Sequence, residues 1–276
     1  MNLIIQGSVL AEHDLEQITQ LADARHVEHL SATAYRLTGA QQRPSVAEYC
    51  IRAGLDYGFV PEERKLSDMR LLAIDMDSTL ITIECIDEVA DLAGLKSEVA
   101  AITAAAMSGE IDYAQSLLRR VALLRGMDQD ALLRVYDERL RLSPGAETML
   151  DAMHRAGVKT LLVSGGFSFF TERLKSRLDL DYSFSNVLDI VGGRISGRVI
   201  GNIVDAEAKA EKLRSLRDQL GIARSAIIAI GDGANDLAMM AEAGVSIAYR
   251  AKPVTRSRAG YALDYAGLDG VLNLFA

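Results

Sequence analysis

Two acidic pairs, each set at the end of an apolar run, are the residues of this sequence best suited to chemistry. Asp75 and Asp77, separated by Met76, follow Leu71-Leu72-Ala73-Ile74 and lead into Ser78 and Thr79. Asp232 and Asp236 follow Ile227-Ile228-Ala229-Ile230, in the stretch Gly231-Asp232-Gly233-Ala234-Asn235-Asp236. A third apolar run, residues 158–163, ends in Ser164-Gly165-Gly166, a hydroxyl beside a flexible backbone. Asp and Ser are ordinary turn residues, so either pair alone also reads as a turn. Two apolar runs that both end in paired acids favour the chemical reading. Gathered at one point, carboxylates repel by up to about 4 kcal/mol per pair at ~4 Å and an effective dielectric of ~20. Such a site calls for a cation.

The elements that would bring these residues together follow from the pattern of apolar residues. The run at 69–74 lacks polar alternation, which marks a strand buried on both faces in the middle of a parallel sheet. Ligands of open parallel sheets sit beyond the carboxyl ends of the strands, where Asp75 and Asp77 emerge. Residues 84–142 carry helical periodicity over 84–93, 96–107, 113–123 and 130–139, punctuated by Gly94, Gly109 and Gly126. An all-helical block directly after the first strand reads as a separate cap rather than a crossover. From residue 147 helix and strand alternate: helices at 147–156, 168–178, 207–220 and 235–243, and strands at 158–163, 182–186, 226–230, 245–249 and 261–263. That alternation means βαβ units on a parallel sheet. Residues 187–204, with Gly192-Gly193 inside, read as a hairpin insertion.

The first 68 residues fall outside this scheme. They predict a short strand at 2–5, a helix at 12–24, an imperfectly alternating segment at 27–37 and a helix at 45–55. Such a β-α-β-α unit is either a packing appendage or a small ligand-sensing or dimerisation module. Pro61-Glu62-Glu63-Arg64-Lys65 is the best linker candidate. The expected fold is therefore α/β: a small N-terminal α/β domain at 1–68, then a doubly wound parallel-sheet core at 69–276 with the cap inserted at about 84–142.

At 276 residues and 49% hydrophobic content the chain has ample material for a core. A formal net charge of −8 leaves no basic excess for nucleic acid or an anionic membrane surface. The apolar start lacks the basic flank of a signal peptide, and no apolar run is long enough to span a bilayer. Two cysteines, Cys50 and Cys85, lack metal-ligand spacing and predict reduced thiols in a cytoplasmic protein. The four histidines form no zinc pattern.

Taken in order, Asp75-Met76-Asp77-Ser78-Thr79, Ser164-Gly165-Gly166, Lys209 and Gly231-Asp232-Gly233-Ala234-Asn235-Asp236 resemble the four motifs of the haloacid-dehalogenase-like phosphohydrolases. The resemblance covers roughly residues 69–276. The fuller spelling, with Leu80 and Glu84 after the first motif and Phe167 after Gly166, is most similar to the phosphoserine phosphatases of that superfamily. The implied reaction is release of L-serine from O-phospho-L-serine, the final step of serine biosynthesis. A related phosphatase or phosphotransferase acting on another small phosphomonoester is the alternative. A signalling receiver domain, which also pairs a phospho-acceptor Asp with a metal on such a sheet, lacks both the cap and the acid two residues after the nucleophile.

Phosphomonoester hydrolysis is among the slowest uncatalysed reactions, so a site must gather a nucleophile, an acid for the leaving group and positive charge. Asp75 is the candidate nucleophile, giving an aspartyl-phosphate that water then cleaves. Asp77 is the candidate general acid and base. Serving near pH 7 means raising its pKa from about 3.9, at ~1.36 kcal/mol per unit, which neighbouring acids and a closed cap supply. All-oxygen ligands beside a phosphate favour Mg²⁺. The resemblance implies as its ligands the carboxylates of Asp75 and Asp232 and the backbone carbonyl of Asp77, with Asp236 and Asn235 in support.

Ser164 and the Gly165 N–H, where a strand gives way to a helix, make a natural anion cradle. Lys209 reads on its own as a surface-helix lysine; the resemblance places its ammonium between the phosphate and Asp75. It also pairs Glu84 with the substrate ammonium and Arg120 with its carboxylate, and sets Met107 and Tyr113 over the substrate. On residue type alone Glu84 and Arg120 read as solvated helix charges, with Arg119 an equal rival to Arg120. Family members are often dimers, so a homodimer is a further expectation.

Overall fold

The structure, a computed structural model, describes residues 1–107 and 109–275, with the side chain of Met107 outside the described set. The chain opens with β1 (Asn2–Gln6), α1 (Glu12–Leu21), β2 (His26–Ser31), β3 (Ala34–Thr38), α2 (Pro44–Ala53) and β4 (Asp56–Val60). Among the described residues these strands form an antiparallel sheet in the order β2-β3-β1-β4. The expected single segment at 27–37 is thus a hairpin of two strands. Its alternation is blurred because β2 is an edge strand with no fully buried residue. Strand β4 was not expected: Asp56 and Gly58 interrupt its apolar pattern, and the burial of Asp56 rests on partners far away in sequence.

Strand β1 is buried along its whole length. Leu3 and Ile5 face α1 and α2 and pack with Ile18, Val46 and Cys50. Ile4 joins the main core instead, with Val60, Leu268, Val271, Leu274 and Phe275. The short helical run Leu268–Leu274 lies against β1 and β3 and so covers the second face of the sheet. Polar contacts lock it there. Gln6 donates to the Gly270 carbonyl at 3.1 Å and accepts from Asn273 at 2.6 Å. Arg36 donates to the Phe275 carbonyl at 2.7 Å. The carboxylate of Asp56, only 3% exposed, takes the N–H groups of Asp264, Tyr265 and Ala266 at 2.7, 3.0 and 2.8 Å.

The second sheet begins with β5 (Leu71–Ile74), all four residues fully buried. The cap follows as α3 (Cys85–Leu92), α4 (Lys96–Met107), α5 (Tyr113–Leu123) and α6 (Asp130–Arg134), the last continuing into a wide turn at Val135–Arg139. Then come α7 (Ala146–Arg155), β6 (Lys159–Phe167), α8 (Ser168–Arg177), β7 (Tyr182–Val191), β8 (Arg194–Ile200) and α9 (Ala206–Leu220). The chain finishes with β9 (Ile227–Gly231), α10 (Leu237–Met240), β10 (Val245–Tyr249), α11 (Pro253–Arg256) and β11 (Tyr261–Leu263).

The strand order is β11-β10-β9-β5-β6-β7-β8 among the described residues, parallel except for β8. The chain therefore runs outward from β5 in one direction through β6 and β7, and in the other through β9, β10 and β11. The reversal between β5 and β9 opens the crevice in which ligands of such sheets bind. Asp75 and Asp232 stand on either side of it.

Two departures from expectation bear on the site. Strand β6 does not stop at residue 163 but runs on to Phe167, with its register against β7 slipping between Val163 and Phe167. The helix after it starts at Ser168, three residues beyond Gly165. The hairpin falls within the expected 187–204, but its first arm is not separate from the strand expected at 182–186: the two form one β7. Its turn is Gly192-Gly193, with φ of 57° and 77°, the left-handed pair that a two-residue hairpin turn demands. From that hairpin β8 props the cap. Gly126, just beyond α5, donates to the Ile195 carbonyl at 2.8 Å, Ile195 donates to the Met127 carbonyl at 2.9 Å, and Gln129 donates to the Gly193 carbonyl at 2.9 Å.

Candidate active site

Past β5 the backbone makes a wide turn, Met76–Leu80, in which Asp77 is extended (φ −64°, ψ 135°) and Ser78 is left-handed at φ 56°. This turn aims successive side chains at different partners. Asp75, 4% exposed, accepts from the Met76 N–H at 2.8 Å. Asp77 accepts from the Cys85 N–H, at the start of α3, at 3.0 Å. Ser78 donates to Glu84 at 2.7 Å, and Thr79 donates to Asp232 at 3.3 Å.

Lys209 is fully buried on α9, not on a solvated helix face. Its ammonium lies 2.8 Å from Asp75 Oδ1 and 2.7 Å from Asp236 Oδ1. The other Asp236 oxygen takes the Gly233 N–H at 3.0 Å. Lys209 thus sits beneath the floor of the site, clamped by two carboxylates. Burial alone would strip its proton, but the charges of Asp236 and Asp75 outweigh that and raise its pKa, so it stays cationic.

The acids respond in the opposite sense. Burial, then the charge of Asp236, push Asp75 well above the usual carboxylate range against the pull of Lys209. Burial and the charge of Glu84 raise Asp77 to about 7. Burial, then Asp236 and Glu84, raise Asp232 to about 6, with Lys252 opposing. Asp75, Asp232 and Asp236 each present an oxygen within 4.8 Å of the others, an all-oxygen set suited to a hard cation. Since both Asp236 oxygens are engaged, by Lys209 and Gly233, Asp75 and Asp232 have the more available oxygens. The Asp77 side chain is not part of this group.

A cavity of about 1070 Å³ opens between this floor and the cap. Asp75, Asp77, Asp232, Asn235, Ser164 and Gly165 line the core side; Glu84, Asp87, Thr103, Tyr113 and Arg120 line the cap side. Arg120 has a side chain only 13% exposed, with Nη1 3.9 Å from Asp87 Oδ1 and a buried Nε that has no partner. Arg119 is exposed and is not among the lining residues, which separates the two arginines that the sequence left level. Glu84 is exposed at the mouth. The Met107 side chain lies outside the described residues.

Several residues at the site were missed in the sequence. Asn186, 1% exposed on β7, donates to the Gly165 carbonyl at 2.7 Å and accepts from the Val204 N–H at 2.8 Å. Tyr113, already expected over the substrate, donates to the same carbonyl at 3.3 Å. Asp87 faces Arg120, and Lys252 lines the cavity. A lone Asn in a strand and a Lys in a loop carry no spacing signal. Thr79 does carry one, because it belongs to the first motif.

The chain is similar to several known proteins. A family model described as haloacid dehalogenase-like hydrolase matches residues 69–244, and a model for a domain of unknown function, DUF4072, matches residues 3–46. A phosphoserine phosphatase of Polaromonas sp. is 52% identical over 229 residues, covering 81% of this chain and 97% of that protein. The crystal structure of a haloacid dehalogenase family hydrolase from Salmonella enterica serovar Typhi superposes with a TM-score of 0.90 at 33% identity, covering 100% of this chain and 99% of that one. A probable phosphoserine phosphatase from Vibrio cholerae, solved unliganded, superposes with a TM-score of 0.87 at 37% identity, covering 99% and 85% of the two chains.

Proposed function

The chain belongs to the haloacid dehalogenase-like hydrolases, and from that membership we propose that it releases L-serine from O-phospho-L-serine through an aspartyl-phosphate on Asp75. The observation that carries the substrate is the pairing of opposite ends in one cavity. On the core side lie Ser164, Gly165 and the carboxylates of Asp75 and Asp232, which suit a cation that a phosphate would meet; on the cap side lie Glu84 and the unpartnered guanidinium Nε of Arg120. A ligand with a phosphate at one end and an ammonium and a carboxylate at the other satisfies both. The similarity to named phosphoserine phosphatases supports the same reading.

In the proposed mechanism an oxygen of Asp75 attacks phosphorus as the bond from phosphorus to the serine oxygen breaks. Asp77, protonated near neutrality because burial and Glu84 raise its pKa to about 7, gives its proton to the departing alkoxide. It then takes a proton from the water that attacks phosphorus, freeing inorganic phosphate and Asp75. Lys209 holds Asp75 oriented and partly neutralised. Ser164 and the Gly165 backbone cradle the phosphate. Glu84 receives the ammonium and Arg120 the carboxylate, a charge-assisted pairing that sets specificity.

The oxygen-only cluster fits Mg²⁺, which Asp75, Asp232 and the Asp77 carbonyl would hold, with Asp236 and Asn235 in support, and which would supply positive charge against the transferring phosphoryl group. Both cysteines are buried and unpaired, which supports action in a reducing cytoplasm. No helix among the described residues is long and apolar enough to cross a membrane.

The test is phosphate release from O-phospho-L-serine beside phosphothreonine, phosphotyrosine and a sugar phosphate, with Mg²⁺ or with EDTA, for the wild type and Asp75→Asn. A Mg²⁺-dependent preference for phosphoserine, lost in the variant, is expected. Preference for another ester would overturn the substrate while leaving the chemistry, and turnover in Asp75→Asn would overturn the chemistry.

A further inference from the structure

The peptide joining Gly165 to Gly166 is gripped from three sides. Its carbonyl accepts from Asn186 of the core at 2.7 Å and from the Tyr113 hydroxyl of the cap at 3.3 Å. Its N–H, that of Gly166, donates to Ser164 Oγ at 2.8 Å. Because Ser164 Oγ accepts that bond, the hydroxyl hydrogen of Ser164 remains available to the cavity. Asn186 is held by a second bond, from the Val204 N–H at 2.8 Å, just ahead of the helix α9 that carries Lys209.

The spacing is close enough to specify glycines. A Cβ on Gly165 would lie 1.9 Å from the Tyr113 hydroxyl, and one on Gly166 would lie 2.7 Å from Asp77 Oδ2. Burial raises the Tyr113 pKa to about 12, so the hydroxyl keeps its proton and donates.

We infer that Asn186 and Tyr113 are positioning residues that orient the Ser164-Gly165-Gly166 backbone, Asn186 from the core and Tyr113 from the cap. The inference rests on the reading of that backbone as the phosphate cradle. Hydrogen bonds in series polarise one another. The donors on the Gly165 carbonyl sharpen the Gly166 N–H as a donor to Ser164, and through it the Ser164 hydroxyl as a donor to phosphate. The cap thus takes part in aligning the cradle, since it contributes a donor to the peptide that fixes it. Tyr113, which the resemblance sets over the substrate, acts in this inference through the Gly165 carbonyl, so its loss should affect phosphate esters alike.

The experiment compares wild type, Tyr113→Phe and Asn186→Asp by inorganic phosphate titration in Mg²⁺. It adds kcat and KM for phosphoserine and for p-nitrophenyl phosphate, which lacks the amino-acid end, and the melting temperature. Tyr113→Phe should weaken phosphate binding by roughly 3- to 10-fold, the scale of one lost hydrogen bond. It should lower kcat/KM for both esters by a similar factor at an unchanged melting temperature. Asn186→Asp, which sets a carboxylate oxygen against the Gly165 carbonyl, should cost more on the same readouts; if it does not fold, Tyr113→Phe decides alone. Wild-type phosphate affinity in Tyr113→Phe, or a loss confined to phosphoserine, overturns the inference. Failure of the wild type to hydrolyse phosphoserine would instead remove the proposed substrate, and the phosphate titration would still judge the cradle.

Discussion

Lys209 lies 2.8 and 2.7 Å from Asp75 and Asp236, with Lys209 and Asp236 fully buried and Asp75 nearly so. Removing one partner of a buried charged set leaves the others uncompensated. Lys209→Met should therefore abolish turnover and destabilise the protein by about 3–5 kcal/mol at neutral pH. The penalty, read from urea midpoints, should shrink in acid, where the raised Asp75 carboxyl takes up a proton; a penalty independent of pH would contradict the charge argument. Arg120→Ala should raise KM for phosphoserine by roughly 10- to 100-fold, the scale of a hydrogen bond between charged groups, whereas Arg119→Ala should leave it unchanged. Equal effects would undo the distinction drawn from their exposure. A further prediction concerns the metal-free protein. Asp232 and Asp77 have pKa values raised to about 6 and about 7, so the folded state holds these protons to higher pH than the unfolded chain. That contribution to stability is full below the ordinary carboxylate range and is lost as pH rises through these two values. In EDTA the urea midpoint should fall between pH 4 and pH 8, in the span set by those raised pKa values, and Mg²⁺ should reverse the fall. A flat profile in EDTA would show that these carboxyls ionise as they do in the unfolded chain.

Among the elements, the hairpin of β7 and β8 has the least obvious task. It carries no motif, yet its second strand hydrogen-bonds the segment just beyond α5, the helix that presents Tyr113 and Arg120 to the cavity. Replacing Gly193, at φ 77°, by Val should cost about 1–2 kcal/mol through left-handed strain. It should also raise KM for phosphoserine by loosening the cap, and a variant of lower stability with unchanged KM would separate strut from cap. Which elements were legible in the sequence follows from where their information lies. Strands β5 and β9 announce themselves because a continuous apolar run ending in acids is local and unambiguous. The cap is legible because its helices are long enough to show their period. Strand β4 is not, because the burial of Asp56 depends on N–H groups of residues 264–266 that no local pattern reveals. Asn186 is silent for the same reason: its importance lies in a carbonyl 21 positions away. The end of β6 was placed too early because Ser164-Gly165-Gly166 has turn composition, while the pairing of Phe167 with Asn186 on β7 keeps the segment extended.

At the scale of the molecule, one face of the first sheet joins the core of the second, while its other face packs a cluster of its own. Sequence composition suggested a unit joined by a charged linker, but Ile4 of β1 packs in the same cluster as Leu268, Val271 and Leu274. The prediction is a single cooperative calorimetric transition for the whole chain. Leu274→Ala, at a position 1% exposed, should lower the stability of both sheets together by about 2–5 kcal/mol. Two separated transitions, or loss of the first sheet alone in the variant, would mark the N-terminal residues as an independent unit. The seal also has a consequence in time. Gln6 and the Gly270 carbonyl it binds are 264 positions apart, and synthesis at ~5–20 residues per second separates them by roughly 13–50 s. For that interval the nascent sheet lacks the Leu268–Leu274 run that covers Ile4 and its neighbours. The sheet made first is thus completed late, and a ribosome that stalls before residue 268 leaves behind a chain with an open apolar face, a natural target for holding chaperones.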